Sequence, residues 1–308
     1  MRKFSALLFV LCIFCLGVNN IEIEAADNKP QLLNFDLSLS LECLEHFENK
    51  DAEKAKLSCK AACDKGDGRA CYHLAGFLSR TDIKEFLSNI AKGCELMYDE
   101  ACNRLAIIYA NDGKYEKQAL EFYILACDLD NTFSCNLLGN YYYLNAMNKD
   151  DVHKALGYFE KSCHNGFNKS CYMAGEIYRG KALVAQKNKN ISEVKEYLLY
   201  SEAYLDRSCD KNYKEGCDLL GQIYESGLLG VDKIDKSLFL YEKACDLKNY
   251  ESCFRLGEYY SDKKNKRKMK KKNLKEYYEL ACKGDIVEAC AKIHPLVYQL
   301  PKKQDQVK

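Results

Sequence analysis

The chain of 308 residues has no tryptophan, three prolines and five histidines, and its 46 basic residues are balanced by 45 acidic ones. So few prolines leave long helices uninterrupted. A net charge of +1 removes a global basic surface for nucleic acid or anionic membrane as the main theme, although a local patch is still open. The scattered histidines supply no HExxH pair and no cluster suited to metal-dependent hydrolysis. Against these shortages stand 23 tyrosines and 18 cysteines. A cytosolic chain seldom carries that many cysteines unless it binds metal.

Arg2 and Lys3 precede an apolar run from Phe4 to Val18, broken by Ser5 and Gly17. The run is short for a membrane span and has the form of a secretory signal. Cleavage is expected after Ala25 or Ala26, the alternative being an uncleaved anchor. Cys12 and Cys15 lie inside the run and lack the small preceding residues of a lipoprotein signal. No other stretch reaches transmembrane length. The expectation is a secreted chain, periplasmic or extracellular, with sixteen of its 18 cysteines left in an oxidising compartment.

Fourteen of those sixteen form seven pairs spaced C-x7-C: Cys63/Cys71, Cys94/Cys102, Cys127/Cys135, Cys163/Cys171, Cys209/Cys217, Cys245/Cys253 and Cys282/Cys290. Successive pairs begin 31, 33, 36, 46, 36 and 37 residues apart, the period of a stacked helical repeat. The residue before each first cysteine is small: Ala62, Gly93, Ala126, Ser162, Ser208, Ala244 and Ala281. An aromatic stands four residues before it at Tyr123, Phe159, Tyr241 and Tyr278. After the second cysteine the chain reads C-x2-L-G-x2-Y at Cys135–Tyr142, Cys217–Tyr224 and Cys253–Tyr260, with variants at Cys171–Tyr178 and Cys102–Tyr109. Offsets of three, four and seven share one helical face. Gly139, Gly175, Gly221 and Gly257 are therefore expected where two helices approach closely.

Residues eight apart on one helix lie about 12 Å apart, beyond the roughly 7 Å Cα limit of a disulfide. A bridge within each pair requires a turn, and segments such as DKGDGRA (64–70), HNGFNKS (164–170) and KGDIVEA (283–289) have turn chemistry. Each unit reads as helix, turn, helix, clamped at its base. Zinc is the other use of paired cysteines, but it normally takes C-x2-4-C spacing. Cys43 and Cys59 flank ENKDA (48–52) symmetrically. If 38–48 and 52–63 are antiparallel helices, a Cys43–Cys59 bridge joins an N-terminal capping helix to the first unit.

A repeat of about 36 residues with A-C-x7-C-x2-L-G-x2-Y and Y-x3-C resembles the Sel1-like repeat, and more narrowly the secreted Helicobacter cysteine-rich proteins. Leu229–Tyr260 carries the fullest match, and Asp150–Tyr178 is nearly as good. The resemblance implies an all-α fold of α/α hairpins stacked in a right-handed superhelix, with one disulfide per repeat. The resemblance covers roughly 52–294, and with the readings above the expected organisation is a signal peptide at 1–26, a capping segment and helix at 27–51, seven repeats at 52–294 and a tail at 295–308. The first two units lack the aromatic of Y-x3-C, and the fifth carries about ten extra residues around 183–192. Pro295 is expected to end the last helix.

The same resemblance implies penicillin binding and weak β-lactamase activity, with a β-lactam or peptidoglycan fragment as ligand. Serine β-lactamases combine S-x-x-K with SDN and KTG. S-x-x-K occurs at Ser192/Lys195, Ser208/Lys211 and Ser261/Lys264, but SDN and KTG are absent. Ser208 sits in the small slot before Cys209, and Ser261 reads as part of a charged loop. His46, His73, His153, His164 and His294 are scattered, and Asp150/Asp151 and Asp232/Asp235 read as solvated inter-repeat loops. No catalytic residue is assigned, and no metal or cofactor is expected. Lys263, Lys264, Lys266, Arg267, Lys268, Lys270, Lys271 and Lys272 put eight positive charges in ten positions. That run is a candidate polyanion site or a solvated loop, and without interleaved aromatics it does not suit stacked single strands. The functional expectation is a monomeric scaffold that binds a host or cell-envelope protein or peptide on its concave face, with no specific nucleic acid and no membrane span.

Overall fold

The computed structural model describes residues 37–78, 82–227, 234–262, 264–265 and 273–293. The expected signal segment, the tail and His294 lie outside them, as do Asp232 and all of the basic run except Lys264. Among the described residues there are fifteen α-helices and no strand. None of these helices is long and apolar enough to cross a membrane. Two compact units divide between Ser134 and Cys135.

The first unit begins with the capping helix α1 (Leu37–Glu48), followed by hairpins α2 (Ala52–Asp64)/α3 (Gly68–Leu78) and α4 (Ile83–Glu95)/α5 (Asp99–Asn111), then α6 (Glu116–Asp128). The division falls in α7 (Thr132–Leu144). The second unit continues with α8 (Lys149–His164)/α9 (Asn168–Lys187), α10 (Ile191–Asp210)/α11 (Lys214–Glu225), α12 (Ile234–Asp246)/α13 (Tyr250–Ser261) and α14 (Leu274–Lys283)/α15 (Val287–Ile293). Asp51, Asp82, Asn148, Asn190 and Asn273 each cap the first helix of a hairpin by accepting an N–H of its first turn.

Every hairpin closes by one device. The third residue after the first cysteine has a left-handed backbone: Gly66, Met97, Asp130, Gly166, Asn212, Lys248 and Asp285, with φ between 60° and 95°. Its N–H returns to the carbonyl of that cysteine, and the next N–H to the carbonyl of the small residue before it, as in Gly66–Cys63 (3.0 Å) and Asp67–Ala62 (3.1 Å). This is the Schellman closure of a helix. It reverses the chain soon enough to bring the second cysteine beside the first.

Cys63–Cys71, Cys94–Cys102, Cys163–Cys171, Cys209–Cys217, Cys245–Cys253 and Cys282–Cys290 are bonded, with Cα atoms 4.5–4.9 Å apart. Cys43 and Cys59 are joined at 4.5 Å, and Cys127 and Cys135 are each disulfide-bonded. Helices held this close leave no room beside the bridge. A Cβ on Gly93 would lie 2.9 Å from the Cβ of Ala101, and one on Gly216 would lie 2.5 Å from Ser208 Oγ. That crowding is why the residue before each cysteine of these pairs is Gly, Ala or Ser.

Between hairpins of the second unit the glycines of the LG motif receive a side chain from the next first helix. A Cβ on Gly139 would meet Phe159 at 2.6 Å, on Gly175 Leu205 at 2.6 Å, on Gly221 Tyr241 at 2.7 Å and on Gly257 Tyr278 at 2.8 Å. In each case the intruder lies four residues before the next first cysteine. The ten extra residues around 183–192 form no separate loop. They lengthen α9 and α10 to 20 residues each, where α11 has 12 and α12 has 13.

Candidate functional site

The residues singled out for serine chemistry do not assemble. Ser208 is fully buried, and its hydroxyl donates to the carbonyl of Asn168 at 3.0 Å. Ser192 is exposed in the first turn of α10. Ser261 is the last residue of α13 rather than part of a loop, and its hydroxyl donates to the Glu258 carbonyl at 2.7 Å. Asp150 and Asp151 likewise sit in the first turn of α8, where acidic residues suit the helix dipole. Asp235 does the same on α12. His46 Nδ1 lies 3.2 Å from Ser58 Oγ, and His73 packs on Phe47 with ring centroids 4.2 Å apart. His153 and His164 are exposed on α8. Among the described residues no three of His, Cys, Asp and Glu converge as a metal site. Lys264 is exposed and follows Asp262, whose carboxylate accepts its backbone N–H at 2.9 Å.

What the helices do bring together is tyrosine. The tyrosine seven residues after a second cysteine stacks on the aromatic five residues before the next first cysteine. Tyr109 stacks on Phe122 in the first unit (5.4 Å between centroids, 15° between planes). In the second unit Tyr142 stacks on Tyr158 (5.6 Å, 12°), Tyr178 on Tyr204 (5.8 Å, 8°) and Tyr260 on Tyr277 (5.8 Å, 24°). Each pair adds about 0.5–1.5 kcal/mol beyond its burial and marks one junction between hairpins.

Several tyrosine hydroxyls in and beside these pairs are committed. Glu160, three residues before Cys163, accepts from Tyr178 (2.8 Å) and Tyr204 (3.1 Å). Glu242, at the matching place before Cys245, accepts from Tyr277 at 3.3 Å. Tyr224 donates to Glu202, and Tyr241 to Glu225 at 2.6 Å. Burial, then the charge and hydrogen bond of Glu160, push Tyr204 up to about 12 and Tyr178 higher still. Burial and the nearby Glu242 carboxylate push Tyr260 up to about 12. Phenols held this high do not act as bases or nucleophiles near neutral pH.

The row of stacked rings reaches the surface where the long helices α9 and α10 themselves pair as a hairpin, closed at Lys189 without a cysteine clamp. Tyr200 stacks on Tyr178 at 5.0 Å and is 46% exposed. Leu183, Val184, Ile191 and Leu199 are exposed on the same hairpin, and Lys181 Nζ stands 5.3 Å from the Tyr178 centroid and 5.1 Å from that of Tyr197. Tyr200 was not singled out from sequence. Its signal is visible once the hairpins are aligned on their cysteines: nine residues before the first cysteine stand Lys154, Tyr200 and Lys236.

The family model of the Sel1 repeat matches residues 99–131, 132–167 and 214–249. Each stretch opens at the second helix of one hairpin and ends after the first helix of the next, so its frame is offset by one helix from that of the disulfides. A search of curated proteins finds no match. A Sel1 repeat protein of Oxalobacter formigenes is 20% identical with TM-score 0.50, over 71% of this chain and 90% of that one. A protective antigen of uropathogenic Escherichia coli with an SLR fold is 17% identical with TM-score 0.48, over 86% of this chain. This chain spans 65% of the antigen's length. An immunity protein of Pseudomonas aeruginosa is 16% identical with TM-score 0.36, over 76% of this chain and 88% of that one. The chain carries Sel1 repeats, built as disulfide-clamped helical hairpins.

Proposed function

We propose that this protein is an extracytoplasmic Sel1-repeat scaffold that binds a protein or peptide partner, seated on the tyrosine-bearing helices of the second unit. Stacked α/α hairpins form a concave recognition surface, the expected seat of such a partner. The disulfides are stable in an oxidising compartment and suit a secreted life. One observation carries the reading: a row of stacked aromatic rings ends in the half-exposed ring of Tyr200, on helices that also expose Leu183, Val184 and Leu199. Rigid aromatic surface of this kind is typical of recognition hot spots.

The test is selection of peptides from a displayed random library on the oxidised protein, followed by calorimetric titration against wild type and Leu199→Ala/Val184→Ala. Saturable binding weakened by the double substitution is the expected result. Recovery of no saturable binder rejects the reading. The finer likeness to Helicobacter cysteine-rich proteins carries a different expectation, β-lactam hydrolysis, which is checked in parallel. Penicillin turnover above background, with a covalent mass increase, would replace a scaffold by an enzyme.

A further inference from the structure

At three junctions of the second unit the residue nine before the first cysteine packs on the ring of the tyrosine seven after the preceding second cysteine; at the fourth that place is Asn273. In two of the three that residue is a cation. Lys154 Nζ lies 5.5 Å from the centroid of Tyr142, and Lys236 Nζ lies 5.5 Å from that of Tyr224. In the junction between them the same place is held by Tyr200, stacked on Tyr178 at 5.0 Å and 29°. At this middle junction Lys181 of α9 supplies the ammonium over Tyr178 (5.3 Å), and Tyr200 adds a second ring, 46% exposed. An aromatic face attracts a cation by about 0.5–2 kcal/mol, depending on how dry the contact is.

The surroundings have the matching charge. Glu196 lies one helical turn before Tyr200 on α10 and Glu193 two turns before it, both exposed and on the same face by helical spacing. Lys181 and the exposed Lys195 are opposing charges nearby, and the Lys181 ammonium is placed over Tyr178 and Tyr197.

We infer that the face of Tyr200, flanked by Glu196 and Glu193, receives a Lys or Arg side chain of the polypeptide partner. This inference rests on the polypeptide-binding reading above and names the chemistry of its partner. An acidic or purely apolar segment gains neither the ring nor the carboxylates.

The experiment is fluorescence anisotropy of the full oxidised protein with three labelled peptides, in which glycine alternates with Lys, Gln or Glu. The Lys peptide is expected to bind about 2- to 30-fold more tightly than the Gln peptide and to weaken as salt rises. Tyr200→Phe keeps the ring and should keep this binding. Tyr200→Ala should lose it, and Tyr200→Lys, which copies Lys154 and Lys236, should lose it too. Circular dichroism and a disulfide mass map control for folding.

Equal binding of the Lys and Gln peptides, lost in Tyr200→Ala, overturns the cation while leaving a polypeptide site at this ring. Lys-peptide binding that survives Tyr200→Ala and Tyr200→Lys overturns the inference outright. So does failure of all three peptides when a library-selected peptide binds wild type and Tyr200→Ala alike, with the scaffold reading intact. Absence of any saturable binder, selected or designed, overturns the scaffold reading itself.

Discussion

The junctions between hairpins come in two chemistries. In the polar kind, the residue after one second cysteine meets a serine before the next. Ser134 Oγ donates to Asn103 Oδ1 at 3.0 Å, Ser170 Oγ lies 3.1 Å from Asn136 Oδ1, and Ser252 Oγ donates to Asp218 Oδ1 at 2.6 Å. In the other kind the first place holds Tyr72, Tyr172 or Phe254 and the second holds Ala101, Gly216 or Ala289. There the ring turns to the start of the next second helix, Tyr72 onto Tyr98 and Tyr172 onto Tyr213, each at 5.6 Å. Phe254 and Ile286 join the same apolar cluster. A polar residue is always matched with serine and an aromatic with a residue lacking a hydroxyl. The match follows from burial: a serine opposite a ring would have no partner for its hydroxyl, and an asparagine opposite alanine would be left unsatisfied.

Breaking the clamp common to both kinds should have the largest effect. Cys163→Ser/Cys171→Ser opens a short loop and should cost about 2–3 kcal/mol by loop entropy, read from chemical denaturation. Next comes the polar junction. Asn136→Ala removes one of the two hydroxyl partners of buried Ser170, the other being Ser162 Oγ at 2.9 Å, and should cost about 0.5–1.5 kcal/mol. Asn136→Tyr with Ser170→Gly converts the junction to the aromatic kind, and Phe167 already stands where Tyr213 stands one hairpin later. The double variant should be more stable than the sum of its singles by at least about 1 kcal/mol. Additive singles would show that the pairing of residue types carries no energy.

An effect of similar size and opposite sign is expected at the turns. Met97 holds φ at 60° where two other hairpins have glycine. Met97→Gly should stabilise by about 1 kcal/mol, as the left-handed conformation costs a side-chain-bearing residue about 1–2 kcal/mol and glycine gives some of that back in chain entropy. The smallest effect concerns pH and the aromatic junction at Tyr72. His73 packs against Phe47 and Tyr72. Burial, with Arg69 adding and Asp67 opposing, holds its pKa below the ordinary 6.5. The unfolded chain therefore binds the proton first, and stability present above pH 6.5 declines as pH falls below it. His73→Phe should flatten that slope in a denaturation series from pH 7 to 5, whereas Asn136→Ala should leave it unchanged.

Much of the architecture was readable from cysteine spacing, because a bridge across eight residues demands a turn and a turn between helical faces makes a hairpin. The small residues beside the cysteines and the glycines of the LG motif were readable for the same reason: close approach restricts side-chain size. Ser261 and Asp150/Asp151 were misread as loop residues because charge and polarity resemble a loop when they occupy a helix end. The ten residues around 183–192 carry no turn signal until Asn188, so helical continuation was the better reading. Junction chemistry and Tyr200 were hidden for another reason. Their partners lie about one repeat away in the chain, and they emerge only when residues are compared at equal distances from the cysteines.

The central claim is that a polypeptide partner docks on α9/α10 through Tyr200. Hydrogen-exchange mass spectrometry of the oxidised protein, with and without a selected peptide, tests it most directly. Added protection concentrated in residues 176–206, and lost in Tyr200→Ala, is the expected result. Protection elsewhere in the chain, or a pattern unchanged by Tyr200→Ala, would contradict it.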